Sequence, residues 1–563
     1  MRDDMLITRR RLLATGSAAV GSAVLATHGG LPIVAAAQDS TPAAATGPLG
    51  GEIKMAYQPP ATLNPLFSTA GADQGVERQI YGALVMMTHA PDPQFDLAES
   101  VDISEDAKVF TFHLREGLVF SDGVPLTSKD VLFTFHRAID PRTGSVWRGR
   151  LLSIDGAEEY DGESVTTVRG LEAPDDRTVK MTLKNPDATW LVTLGDFAGF
   201  CILPEHAFGD IPPDQLQEAP FTFNPTPSAG AFVFEEWLPD QYLAIKRNDN
   251  YNPPKAKLDR LYLTILPQSV TALSQLQNGE IDIMAVDVTD MEVVQQNPNL
   301  TISASPSLML QWLIPNSTRP AFSDKRVRQA MLYALDREAM VREILKGQAT
   351  IINSPFFGWE WEEGEPAGLN PYAYDPDKAK QLLAEANWDS GANQITMHYI
   401  PGNQLNETLI NIIQQQYKDV GINFELMAVD VPDYTNRLIS GATGGNTGDF
   451  DLILGSGGVM GQDPNVMTRY IDSKSATPAG FNYTHFANPR VDELLVQGRG
   501  TTDVAERKRI YTEVAQIINE DATWIFLWRL NSVYGVNKRV QGFVAPGHPG
   551  RVISSAHEWS VVE

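Results

Sequence analysis

Residues 114–141 read LREGLVFSDGVPLTSKDVLFTFHRAIDP. Leu114, Leu118 and Phe120 are spaced by polar or small residues, which predicts a strand with one apolar face. Ser121-Asp122-Gly123 is turn chemistry: the Asp side chain bonds its own backbone, and Gly accepts the left-handed conformation. Thr127 stands three residues before Asp130, ahead of an apolar run, so each side chain can satisfy a free amide at a helix start. Val131, Leu132, Phe135, Ala138 and Ile139 recur every three or four residues and predict a helix with one buried face. Asp140-Pro141 ends it, because a proline pushes the preceding residue out of the helical region. Strand, turn and helix account for every residue here, so the stretch predicts architecture and no chemistry.

The whole chain has 563 residues and a formal net charge of −26. One core does not grow to that size, so two or three domains are expected. The acidic balance excludes nucleic acid as a partner, since phosphate binding needs clustered Lys and Arg. One cysteine, Cys201, rules out an intramolecular disulfide. It lies between Phe200 and Ile202, which predicts a buried thiol rather than a nucleophile.

Residues 1–37 read as an export signal. Arg9-Arg10-Arg11 precedes a weakly apolar stretch from Ala14 to Ala26, and Ala35-Ala36-Ala37 offers a small-residue cleavage site. Paired arginines before a modest apolar core resemble a twin-arginine signal. An ordinary Sec signal is the alternative. Residues 38–51 are rich in Ala, Thr, Pro and Gly and predict a linker. No later run reaches the roughly 18 apolar residues of a membrane span. The expected mature protein is soluble and extracytoplasmic, in the periplasm or at the cell exterior, with no lipid anchor.

The stretch at 114–141 resembles the signature region of the extracytoplasmic solute-binding proteins of peptide/nickel-type ABC importers, the dipeptide- and oligopeptide-binding family. Further segments carry the same resemblance. Thr62-Leu63-Asn64-Pro65-Leu66 is similar to the family's opening. Phe322–Leu345 is a second match, read as one helix capped by Ser323. Tyr374–Trp388 is a third, with Asn387 where the family has glycine. Asn488–Leu495 and Asn531–Asn537 close the series, so the likeness spans about residues 50–545. It implies an α/β fold of the two-lobe periplasmic-binding-protein type (type II, large, with an extra subdomain) and a hinge between the lobes. One lobe would comprise residues 52–81, 222–270 and 525–563, with 82–221 as its subdomain; residues 271–524 would form the other lobe. Independently, Ile395–Ile400, Thr408–Val420 and Gly421–Leu426 read as strand, helix and strand, a βαβ unit with parallel strands. Phe450–Leu454 reads as a buried strand.

A search for chemistry returns little. No two of the nine histidines stand three to five residues apart, and no HExxH, GxSxG or phosphate-cradling loop occurs. No cofactor, no metal and no catalytic residue is expected; a secreted hydrolase is the contrasting class. The expected activity is capture of a small solute, an oligopeptide or an oligosaccharide, and delivery to the permease subunits of an ABC importer. Its ATPase subunits would be separate chains, and the binding protein a monomer.

Candidate ligand residues are Trp312, Trp359, Trp361, Tyr434, Ser456, Gly457, Met460, Asp463 and Trp528. By the resemblance, the tryptophans line the cleft, where exposed rings would stack on a ligand. In peptide-binding members of the family an aspartate about four residues before a "DP" proline holds the peptide's free amine. Here Asp463-Pro464 is the step and Met460 the residue. A thioether cannot neutralise an ammonium, so free di- and tripeptides are expected to bind poorly. A longer peptide, or a sugar stacked on Trp359, Trp361 or Trp528, fits better. Asp463 is equally suited to capping.

Overall fold

Of the strand and helix predicted within residues 114–141, the helix is present; the strand is not, because the observed strand ends at Leu114, where the predicted one was to begin. Val109–Leu114 is a strand of alternating burial, and Ser128–Ile139 is a helix. The Thr127 hydroxyl accepts the Lys129 amide at 3.3 Å, and Asp130 Oδ2 accepts the Thr127 amide at 2.9 Å. Leu118 and Phe120 are buried but lie outside any strand. They flank a tight turn closed by Phe120 N–H donating to Val124 (2.8 Å) and Leu126 N–H donating to Leu118 (3.0 Å).

A computed structural model describes residues 49–87, 93–196, 200–251, 254–358, 361, 364–439, 448–458, 463–477 and 480–562. The candidates Trp359 and Met460, the predicted signal and most of the linker lie outside the described residues. In chain order the principal strands are β1 (Glu52–Tyr57), β2 (Ala98–Ile103), β3 (Val109–Leu114), β4 (Leu171–Asp175) and β5 (Thr178–Thr182). Then come β6 (Phe232–Leu238), β7 (Tyr242–Arg247), β8 (Arg260–Ile265), β9 (Ile283–Ala285) and β10 (Leu300–Pro315). The last are β11 (Ala349–Ile351), β12 (Ile395–Tyr399), β13 (Phe424–Ala428), β14 (Leu452–Gly458) and β15 (Ile525–Asn537).

Eleven of these strands form one sheet, in the order β13-β12-β14-β10-β15-β9-β1-β8-β7-β6, with β11 added to β15. β2 to β5 form a separate four-stranded sheet in the order β2-β3-β5-β4. β12 pairs in parallel with both β13 and β14, and the helix Gln404–Asp419 supplies the predicted crossover.

Two strands are much longer than the rest: β10 has 16 residues and β15 has 13. They run antiparallel through both halves of the sheet. Leu300–Pro306 of β10 pairs with Asn531–Asn537, next to β9 and β1. Leu310–Pro315 pairs with Ile525–Arg529 on one side and β14 on the other. Between Pro306 and Leu310 the register shifts. Proline has no amide to give a ladder, so Pro306 suits that break.

Each half has its own core. One continuous apolar cluster runs from Ile53 in β1 through Phe110 and Val179 of the four-stranded sheet to Trp559, so that sheet is fused to the first half rather than tethered to it. In the second half, Leu313, Leu527 and Trp528 pack on one face, with Met331, Leu383 and Ile413. Trp312, Ile314, Trp524 and Phe526 pack on the other, with Leu494 and Tyr511. A sheet covered on both faces is why its strands read as nearly continuous apolar runs.

The segment 322–345 departs from its reading as one helix. Asp324, not Ser323, is the cap: its Oδ1 accepts the Arg326 amide at 2.9 Å, while the Ser323 hydroxyl donates to Pro320. The helix Lys325–Tyr333 stops, and Asp336 caps a second start by accepting the Ala339 amide. Asn387 takes φ 53, the left-handed position that suits Gly or Asn after a helix. Cys201 is fully buried, and burial pushes its thiol well up.

Candidate ligand-binding cleft

Among the described residues, the two halves of the sheet join through β10 and β15 at the register break. Its neighbours are held by the C-terminal segment: Leu308 N–H donates to Gly547 at 2.5 Å, and Ser305 Oγ donates to Ala545 at 2.6 Å. On the first half, β1, β8 and β9 are mutually parallel and end together. Carboxyl ends of parallel strands are where open α/β sheets leave a crevice. A cavity of 630 Å³ lies there, lined by Tyr57, Gln58, Leu266, Asp287 and Tyr534 among others. The Tyr57 hydroxyl donates to the Ala72 carbonyl at 2.9 Å. Burial raises the Tyr57 and Tyr534 hydroxyls far above the ordinary phenol range. Asp287 is exposed at the rim and offers a carboxylate to a cationic group.

The wall behind this cavity is a nearly buried helix, Gly71–Tyr81. Burial raises the carboxyls of both Asp73 and Glu77. Asp73 accepts the Ala61 amide at 2.7 Å, and Glu77 Oε2 accepts the Ser68 hydroxyl at 2.6 Å. His548 lies nearby with its pKa pushed down to about 3, by burial first and then by Arg551 and Arg78. Its Nδ1 accepts the Gly550 amide at 3.1 Å, which fits a neutral ring.

A second cavity, of 270 Å³, lies where the four-stranded sheet's subdomain meets the second half. Arg150 and Thr189 line it from one side; Asn465, Arg469, Asp472 and Arg499 line it from the other. Hydrogen bonds cross this seam. Ala188 N–H donates to the Arg499 carbonyl (3.1 Å), and Asn465 Nδ2 donates to Thr189 Oγ1 (2.9 Å).

The residues singled out from sequence are not brought together as one wall. Trp528 is fully buried; its Nε1–H donates to Gln311 Oε1 at 2.6 Å, and Gln311 in turn donates to Asn406 Oδ1 at 3.2 Å. Trp312 packs 4.7 Å from Trp524 in the core. Trp361 is buried and donates to the Thr512 hydroxyl at 3.2 Å. None of these three presents a free ring face, so the stacking platform expected of them is corrected to core packing. Asp463 is corrected too. Its carboxylate is bound by Arg507 at 2.8 and 2.9 Å, both side chains are buried, and Oδ1 also caps the turn at Asn465. The Tyr434 hydroxyl donates to the Leu454 carbonyl at 3.0 Å, and burial raises its pKa. Ser456 and Gly457 lie in β14 opposite Gln311 and Leu310, beside the register break.

Sequence reading missed Asp287, Tyr534 and Arg529. Arg529 sits in β15 at the break, opposite Leu310, with its guanidinium 4.8 Å over the Phe357 ring. Burial lowers its pKa, and no carboxylate among the described residues lies within ion-pair distance. Nothing local marks it: it stands in the apolar run IFLWRL. Among the described residues no group of three or more metal-ligating side chains occurs, and no helix is long and apolar enough to cross a membrane.

The family model for bacterial extracellular solute-binding proteins, family 5 (Middle), matches residues 92–478. The chain belongs to this family. A protein of Brucella melitensis, named as an ABC transporter peptide-binding protein, is 31% identical over 473 residues, 83% of this chain and 85% of that one. The solved substrate-binding protein CtaP of an ABC transporter from Listeria monocytogenes has a TM-score of 0.79 at 27% identity, covering 92% of this chain and all of that one. The oligopeptide-binding protein AppA from Bacillus subtilis, in complex with a nonapeptide, has a TM-score of 0.74 at 25% identity, covering 92% of this chain and 100% of that chain. The two-lobe α/β fold expected of a family 5 solute-binding protein is thus the fold found here, and the chain is the solute-binding component of an ABC importer.

Proposed function

We propose that this family 5 protein captures a peptide by closing its two halves about the break at Ser307–Met309 and Leu530, and presents it to the permease. The observation that carries this reading is the pair of long strands: among the described residues, two strands that lose register together are the ladder that joins the halves of the sheet. Such a joint absorbs a rotation without disturbing either core. The lobe boundaries then move from the 271 and 524 read from sequence to the break itself, because Ser269–Asn278 and β9 pack with the first half. Asp287 supplies an acid for the peptide's amine, in place of the aspartate that Met460 replaces. Arg529 supplies a cation for a carboxylate. Short peptides with free termini therefore become good candidates, contrary to the expectation from Met460. Burial of Trp361 and Trp528 takes those two rings out of the support for a stacked oligosaccharide, which leaves the peptide reading the better supported.

Export by the twin-arginine route belongs to the same proposal, supported by Arg9-Arg10-Arg11. Changing all three to lysine should block maturation; normal processing would place the protein on the Sec route.

The test of ligand class is native mass spectrometry of the purified protein, followed by calorimetry with di- to nonapeptides. A peptide should co-purify and be released unchanged. Cleavage of the bound peptide, or binding of sugars and no peptides, would overturn the reading.

A further inference from the structure

The cavity at the seam between the subdomain and the second half has a charge that the rest of the chain does not explain. In a protein of net charge −26, Arg150, Arg469 and Arg499 line one space of 270 Å³, against a single acid on its lining, Asp472. That acid is engaged, because its Oδ1 accepts the Lys474 amide at 2.8 Å. Among the described residues no carboxylate lies within ion-pair distance of Arg469 or Arg499, and the Nε of each is buried without a hydrogen-bond partner. Asp463, close in sequence, is committed to Arg507. Asp187 feels the Arg499 charge, but its Oδ1 is taken up by Thr189, accepting that residue's amide (2.9 Å) and hydroxyl (2.6 Å). Arg469 is held in place by stacking, 4.9 Å over the Tyr470 ring and 5.4 Å over that of Phe481.

Two half-buried guanidinium groups, each with its Nε buried and unbonded, line one polar cavity, an arrangement that suits an oxygen anion. We propose that this seam binds an oxyanion, a carboxylate or a phosphate group, between Arg469 and Arg499 of the second half. The Thr189 side of the subdomain closes over it. The anion then acts as a latch: it pairs with two half-buried cations at the seam, and it favours the contacts that already cross from Ala188 to Arg499 and from Asn465 to Thr189. This goes beyond solute capture, since a free anion here needs no transported ligand.

Two sources share this chemistry: a free small anion, or a carboxylate carried by the bound peptide. The experiment separates them with the full mature chain and its Arg499→Gln and Arg499→Lys variants. In one arm, inorganic phosphate is titrated at constant ionic strength and unfolding is followed. In the other, a peptide found to bind is compared as free acid and as C-terminal amide. A free-anion site predicts saturable stabilisation by phosphate that weakens roughly tenfold in Arg499→Gln and is largely kept by Arg499→Lys. A peptide-borne carboxylate predicts a similar loss for the acid and none for the amide. If neither phosphate nor the free acid responds to Arg499→Gln, the proposal is overturned. In that case, peptide binding of unchanged strength in the variant would leave the solute-binding reading intact while the seam site is lost.

Discussion

The two ends of the shared strands differ in kind. From Leu300 to Pro306, β10 pairs residue for residue with Asn531–Asn537, and the nearby cavity is lined by strand termini and an exposed acid, Asp287. From Leu310 to Pro315 the ladder carries a second shift between Gln311 and Trp312, and the side chains turned off it are large, buried and spoken for. The first end is regular and open; the second is irregular and closed by packing. Large aromatic residues in a family with a ligand cleft invite a binding role, but the strand they stand in is buried on both faces. Ligand groups are better sought where the chain leaves the sheet.

The sharpest way to break this contrast is the buried pair behind the second end. Arg507→Ala would strand the Asp463 carboxylate in the core and should cost about 3–5 kcal/mol of stability by chemical denaturation. Peptide affinity of the folded protein should not change. A variant at Asp463 that keeps its stability and loses the ligand would return that residue to the binding site.

A smaller effect sits under the first half. Asp96 is buried and accepts the Tyr251 hydroxyl at 2.5 Å and the Ala83 amide at 2.8 Å, yet burial raises its pKa from 3.8 to about 6. The folded state therefore holds a proton that the unfolded chain has released. Its contribution is full below about pH 3.8 and is lost as pH rises to about 6, a change of roughly 3 kcal/mol. Urea unfolding from pH 3.5 to 7 should show this slope, and Asp96→Asn should flatten it.

Trp528→Phe comes next. It keeps most of the ring volume but leaves Gln311 Oε1 without its donor, for a loss of about 1–3 kcal/mol. Calorimetry should find ligand affinity unaltered; a tenfold fall would mean that Trp528 meets the ligand after all. The smallest effect belongs to the stretch at 114–141. Thr127→Ala removes one side of its capping pair and should cost about 1 kcal/mol, with no effect on binding.

How much was legible in the sequence follows the same division. Local signals held where local physics decides: the Thr127 cap and the parallel unit beginning at Ile395 were readable from residue type and spacing. The break at 322–345 was not, because Asp324 and Asp336 both compete as caps inside one apolar period. The cleft was the least legible. Alternation cannot tell the faces of Ile525–Leu530 apart when both are buried and a bulge reverses them midway. Nor does sequence show that Asp463 has found Arg507, 44 residues on. A carboxylate's role is set by its partner, and the partner is a property of the fold.

The central claim is rotation of the halves about the break in β10 and β15. Cys201 is the sole cysteine and is buried, so two engineered cysteines can be labelled cleanly. Val165 of the subdomain and Val496 of the second half are exposed, and Val124 with Val165 gives a control pair inside the subdomain. Pulsed electron spin resonance on Val165→Cys/Val496→Cys should show a shorter, narrower distance distribution when a binding peptide saturates the protein, while the control pair stays fixed. An unchanged Val165–Val496 distribution, with binding verified by calorimetry on the same labelled sample, would contradict the account.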